Sequence, residues 1–255
     1  MKKFIITLLF LIYILSCIYS DNPEKILMDS LKNSITEGSF ANFDQDLVFI
    51  EWTTLVDEKK ASNDTDYVGQ SATINYLRTN DYSYKKLVYT IFSMTSEVTK
   101  QRIMLYDRSS LFVNDRLSRD VIKTTAKASI AEIVDEDLKL KEKYKIIASD
   151  SDNLRNRDTW KITIQNTETG STTIFWIDKE YKVRLQEDYF DRYPILYQRI
   201  EYLDYQKLQN GSLIEKKYSL WGQSFPGSIR FYQIKDPRFM EIDDEFFSPD
   251  ILKKL

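Results

Sequence analysis

Histidine is absent from this 255-residue chain, and cysteine occurs once, at Cys17. Without an imidazole, neither a Ser–His–Asp triad nor a Cys–His pair can be assembled, and the usual zinc sites lose their ligands. One cysteine cannot form an internal disulfide. Proline (5) and glycine (6) are scarce, so no Pro/Gly-rich linker divides the chain and a collagen-like or low-complexity composition is excluded. Neither sign of charge dominates. The formal net charge is −3, and losing Lys2 and Lys3 with the N-terminal segment would make it −5. A mildly acidic chain lacks the basic footprint of a nucleic-acid binder. Carboxylates, Lys, Tyr, Ser and Thr are the groups left for catalysis, and no spacing pairs two carboxylates as glycan hydrolysis requires.

Aromatics are plentiful, with 17 Tyr and 14 Phe, and they fit pleated, half-buried surfaces. The stretch 171–221 reads as four consecutive strands. Residues 172–177 are apolar on both faces, and Asp178, Lys179 and Glu180 form a turn. Alternation then places Tyr181, Val183 and Leu185 on one face and Lys182, Arg184 and Gln186 on the other. Asp191 to Pro194 turn the chain into an aromatic strand over 195–205. Asn210-Gly211 supplies the φ > 0 pair of a two-residue hairpin turn into 213–221. Long strands joined by short turns define an antiparallel meander. Further strands are expected over 43–55, 67–77, 82–94, 101–106, 111–114, 116–119, 144–148, 160–165 and 228–234, with 150–158 as a charged hairpin tip.

Two helices stand out. Asn22 and Pro23 offer an N-cap and an N1 proline. Ile26, Leu27, Leu31 and Ile35 recur at helical spacing as far as Gly38. Residues 124–140 carry helix formers and no Gly or Pro, and they interrupt the strands in mid-sequence. Ahead of everything, Lys2-Lys3 and the apolar run 4–15 make residues 1–20 a targeting segment too short for a typical span of about 20 residues. Residues 14–17 resemble the lipobox of bacterial lipoproteins, which makes Cys17 the candidate lipidation site. Cleavage near Ser20 and an uncleaved anchor are the alternatives. Residues 21–255 are expected to form one domain.

The chain resembles the LolA-like outer-membrane lipoprotein-sorting proteins in four places. These are the opening NPEKIL helix with the strand after it; RIMLYDRSSLFVNDRLSR at 102–119; TTIFWIDKEYKVRLQ at 172–186, followed by the Asn210-Gly211 turn; and FFSPDIL at 246–252. Arg184 stands where the family pattern has proline. The resemblance implies an α+β fold, in which a curved antiparallel sheet forms an incomplete β-barrel with helices covering its concave face. It also implies a monomeric, non-enzymatic carrier or receptor in the periplasm or cell envelope that needs no cofactor. Its partners would be lipoprotein acyl chains or lipid, together with membrane-associated sorting machinery.

Such a carrier needs an apolar lining. Alternation nominates Val48, Ile50 and Trp52; Leu87, Tyr89 and Ile91; Ile162 and Ile164; and Tyr181, Val183 and Leu185. Plain core packing is the competing explanation for each, and the 124–140 helix is the candidate cover. The acidic residues Asp188, Asp191 and 243–245 read as solvated surface, because no metal-loop spacing connects them. The tyrosine-rich series from Tyr189 to Tyr205 reads as strand pairing. A rival function is a lipid-anchored envelope protein that uses the same fold to bind another protein.

Overall fold

The computed structural model describes residues 22–33, 45–62, 71–80, 83–93, 102–107, 110–115, 121–125 and 143–254. Helix α1 (Pro23–Lys32) begins as its sequence dictates, with the Asn22 side chain accepting the Glu24 N–H at 3.0 Å and Pro23 opening the first turn. It ends earlier than the periodicity suggests: Asn33 caps it by donating its N–H to the Asp29 carbonyl. Ile35 and Gly38 lie outside the described residues.

Among the described residues thirteen strands follow: β1 (Asp46–Asp57), β2 (Ser71–Asn80), β3 (Ser83–Ser93), β4 (Arg102–Asp107), β5 (Ser110–Asp115), β6 (Val121–Thr125), β7 (Tyr144–Leu154), β8 (Arg157–Asn166), β9 (Thr172–Asp178), β10 (Arg184–Phe190), β11 (Leu196–Lys207), β12 (Leu213–Gly222) and β13 (Ser228–Met240). They form one antiparallel sheet in the order β6-β5-β4-β3-β2-β1-β13-β12-β11-β10-β9-β8-β7. Every neighbouring pair is consecutive in sequence except β1 and β13. The two halves of the chain therefore join along that seam, and the sheet is open rather than a closed barrel. Residues 124–125 belong to β6, not to the helix expected from 124 onward. The rest of that expected helix, and the strand expected at 116–119, lie outside the described residues.

The charged stretch 150–158 is a hairpin tip, as its sequence reads: strands β7 and β8 run into it and meet at Arg155 and Asn156, both left-handed (φ 53° and 61°), as a two-residue type I′ turn requires. Two other turns differ from their sequence reading. The Asn210-Gly211 turn is a three-residue loop: Leu208 donates its N–H to the Ser212 carbonyl, and Gly211 alone is left-handed at φ 88°. The turn after β9 is organised by Asp178, whose Oδ1 accepts the N–H groups of Glu180 and Tyr181 at 2.9 and 2.8 Å. Tyr181 therefore sits in a turn rather than on a strand, and β10 starts at Arg184 with a bulge before Gln186.

Each face of the sheet is covered by a different segment. On one face, Ile26, Leu27 and Leu31 of α1 pack on Ile162, Ile164, Phe175 and Ile177 of β8 and β9. Cross-strand register carries this face through Ile200, Tyr218 and Tyr232 to Glu51 and Phe49 of β1. On the opposite face, the 3-10 helix Asp244–Phe247 and the short α2 (Ile251–Lys254) press Phe247 and Leu252 onto Leu105, Tyr76 and Phe112.

Candidate functional site

The α1 face carries an apolar cavity of about 420 Å³. Leu27 of α1, Tyr144 and Ile146 of β7 and Ile164 of β8 form its walls, with Glu24 and Lys145 at the rim. Alternation along β7 and β8 creates this surface, and α1 crosses it because its own apolar stripe needs a partner. The volume falls within the ordinary range of small-molecule pockets, roughly 300–1,000 Å³.

The nominated lining residues do not share one surface. Ile162 and Ile164 are buried on the α1 face, and Ile164 lines the cavity. Val48, Ile50 and Trp52 lie on the opposite face, since Glu51 of β1 bonds to Tyr218 on the α1 side. Backbone register aligns Leu87 with Tyr76 and Tyr89 with Ile74, the partners of Val48 and Ile50, while Ile91 is the extra residue where the β2–β3 register shifts. Tyr181, Val183 and Leu185 border a second, separate cavity, where Val183 and Leu185 are buried and Tyr181 is exposed. A period of two assigns parity within a strand, but only the register says which parities of neighbouring strands meet.

Between α1 and the β1–β13 seam the face is polar, which alternation did not reveal. Arg184, which alternation sets on the face opposite Val183 and Leu185, and Glu187 are 1% and 0% exposed at the side chain and form an ion pair. Glu187 also accepts hydrogen bonds from the hydroxyls of Tyr189 and, at 2.8 Å, Tyr202. The Arg184 guanidinium lies 5.3 Å from the Tyr202 ring centre, and its backbone carbonyl accepts the Tyr205 hydroxyl. Tyr218 and Tyr232 stack at 4.5 Å, and Tyr218 donates to Glu51 at 2.8 Å. Burial, reinforced by nearby Glu215 and Glu51 respectively, holds the Tyr205 and Tyr218 hydroxyls protonated well above the usual tyrosine range. The sequence signal for this network was Arg184 itself, a cation in a segment flanked by buried apolar residues.

Of the acidic residues expected at the solvated surface, Asp188 departs from that place, while Asp191 and residues 243–245 keep to turns and to the surface. Asp188 is buried, gripped by Arg199 at 2.7 and 2.6 Å and by Gln186 at 3.0 Å. Asp191 shapes its turn by accepting the N–H groups of Tyr193 and Ile195. Asp243 caps the 3-10 helix, and Glu245 pairs with Lys254 in solvent. Among the described residues no cluster of three or more His, Cys, Asp or Glu is placed to hold a metal ion, and no helix is long and apolar enough to cross a membrane.

The architecture is thus an open antiparallel sheet with a helix packed on one face and an apolar pocket beside it. Solved structures place it more closely. An outer membrane lipoprotein-sorting protein domain, so assigned, from Vibrio parahaemolyticus superimposes with a TM-score of 0.64 at 13% identity, covering 91% of this chain and 100% of that one. A DUF1329 family protein from Desulfovibrio piger gives 0.62 at 13% identity, covering 89% and 98%. A LolA superfamily protein from Nitrosomonas europaea gives 0.58 at 9% identity, covering 91% and 100%. The fold is LolA-like. No family model and no curated protein sequence matches the chain.

Proposed function

We propose that this protein is a non-enzymatic carrier or receptor that holds acyl chains of a lipoprotein or lipid in the cell envelope, for outer-membrane lipoprotein sorting. The supporting observation is the apolar cavity between α1 and the β7–β8 edge, set in a LolA-like sheet. Each buried CH₂ contributes about 0.8 kcal/mol, so a short length of acyl chain binds there without any charged group. The reading includes export directed by residues 1–20, attachment through a lipidated Cys17, action as a monomer and docking to membrane-associated sorting machinery.

Uptake of a fluorescent fatty acid by delipidated protein tests the cavity. Ile146 is half-buried at the pocket wall, so Ile146→Trp should fill the space and lower affinity at least tenfold with little change in melting temperature. Wild-type uptake by a folded Ile146→Trp protein would remove acyl chains from this pocket. Cys17→Ala should release the protein from membranes, and equal retention of the variant would exclude lipidation as the anchor. The rival reading, a protein-binding module, draws on the exposed Tyr193, Ile195 and Tyr197 around the β10–β11 turn. It is favoured if the wild-type protein takes up no acyl probe at all.

A further inference from the structure

We propose that the second cavity is a binding site for an anionic amphiphile, with the charged head held by Arg155 and Arg157 and the hydrocarbon chain lying on Val183, Leu185, Leu203 and Leu213. The cavity has a volume of about 370 Å³ and shares no lining residue with the pocket under α1. It lies between the tip of the β7–β8 hairpin, the β9–β10 turn and the bulged middle of β11, where the pairing with β12 slips on both sides of Asp204. The site does not depend on the acyl-carrier reading.

Its two ends differ chemically. Four aliphatic side chains and the rings of Tyr202 and Tyr205 make one part apolar. Both guanidinium groups come from the hairpin tip. Arg157 pairs with Asp178 Oδ2 at 3.1 Å, and the Tyr181 ring lies 5.7 Å from its guanidinium carbon. Asp178 spends its other oxygen on the two backbone N–H groups of the turn, so it engages one edge of a fork that offers five donors. Arg155 reaches back across the cavity and donates Nη2 to the Leu185 carbonyl. Arg155 stays exposed overall, but partial burial of its guanidinium, with a smaller contribution from the like charge of Arg157, disfavours the protonated form. Glu201 acts on Arg155 in the opposite sense, and Asp204, the one acid in the wall, is tied to Lys216 at 3.3 Å.

An anion held by the two arginines would accept charge-assisted bonds in the bidentate geometry that suits both carboxylates and phosphates. The backbone supplies a second indication. Arg155 occupies a left-handed position (φ 53°) where Asn, Asp or Gly is favoured. A strained non-glycine residue kept at a cavity mouth points to a role for its side chain. Inorganic phosphate alone would leave the leucine surface unused, whereas a neutral detergent would leave the guanidinium groups unused.

Isothermal titration of the purified protein with dodecyl phosphate, dodecanoate, dodecyl maltoside and inorganic phosphate separates these cases. Both anionic amphiphiles should bind wild-type protein more tightly than dodecyl maltoside. Arg155→Asn should lower their affinity tenfold or more while leaving melting temperature unchanged or raised, because asparagine tolerates the left-handed turn. Arg157→Gln should act in the same direction. Maltoside binding should stay constant in both variants. Equal affinity for dodecyl phosphate and dodecyl maltoside, or wild-type dodecyl phosphate binding by Arg155→Asn, overturns the proposal. Inorganic phosphate binding as tightly as dodecyl phosphate reduces the site to a plain anion site and overturns the amphiphile assignment. Ile146→Trp, which blocks the α1 pocket, should leave the charge-dependent binding intact, so the two sites fail independently.

Discussion

Replacing Arg184 with methionine is expected to destabilise the protein by about 3–5 kcal/mol, the usual consequence of removing one partner from a buried ion pair. Neither side chain of the Arg184–Glu187 pair has meaningful contact with solvent, at 1% and 0% exposure. Without the guanidinium, the Glu187 carboxylate keeps the hydroxyls of Tyr189 and Tyr202 as donors but loses its countercharge. The loss is a large part of a typical total of about 5–15 kcal/mol. Urea denaturation measures it directly. The double variant Arg184→Met/Glu187→Leu should recover most of the lost stability, because an apolar pair of similar volume is often neutral or better. A single variant that unfolds within about 1 kcal/mol of wild type, against the roughly 3–5 kcal/mol expected, would mean that water reaches Glu187 in solution.

Phe247→Ala should be comparably severe, costing about 3–5 kcal/mol by loss of a buried aromatic and the cavity left behind. Phe247 and Leu252 are almost fully buried against Leu105, while Phe246 meets the Tyr76 ring edge-on at 5.0 Å. The segment is anchored at its start by the Asp46 carboxylate, which accepts the Ile242 N–H at 3.1 Å. It covers the face opposite α1. A folded Phe247→Ala protein should therefore still take up acyl probe normally, read by the same fluorescence titration, even as its denaturation midpoint falls. Loss of uptake in a folded variant would show that the two faces are coupled.

The strands were legible wherever alternation or a turn signal was strong. Asn22-Pro23 marked the start of α1, and the meander from β9 to β12 lies where its pattern put it. Lateral information was not legible. Val48, Ile50 and Trp52 alternate as cleanly as Ile162 and Ile164, yet the register places the two sets on opposite faces. Tyr181 falls off the expected strand because a left-handed Lys182 (φ 55°) and a bulge break the period of two just where β10 begins. Charge also misled. Asp188 reads as solvated surface, but Arg199 on the neighbouring strand supplies its countercharge, and a paired ion can be buried where a lone one cannot. The partner of a charge in a folded sheet is set by neighbours that the linear order does not display.

The seam between β1 and β13 leaves β6 and β7 as the two ends of the sheet, although they are consecutive in the chain. The join between the two halves of the chain is therefore the middle of the described sheet rather than an edge: β1 pairs with β2 on one side and with β13 on the other, so the backbone ladder between the first and last strands is what keeps a six-stranded and a seven-stranded array a single sheet.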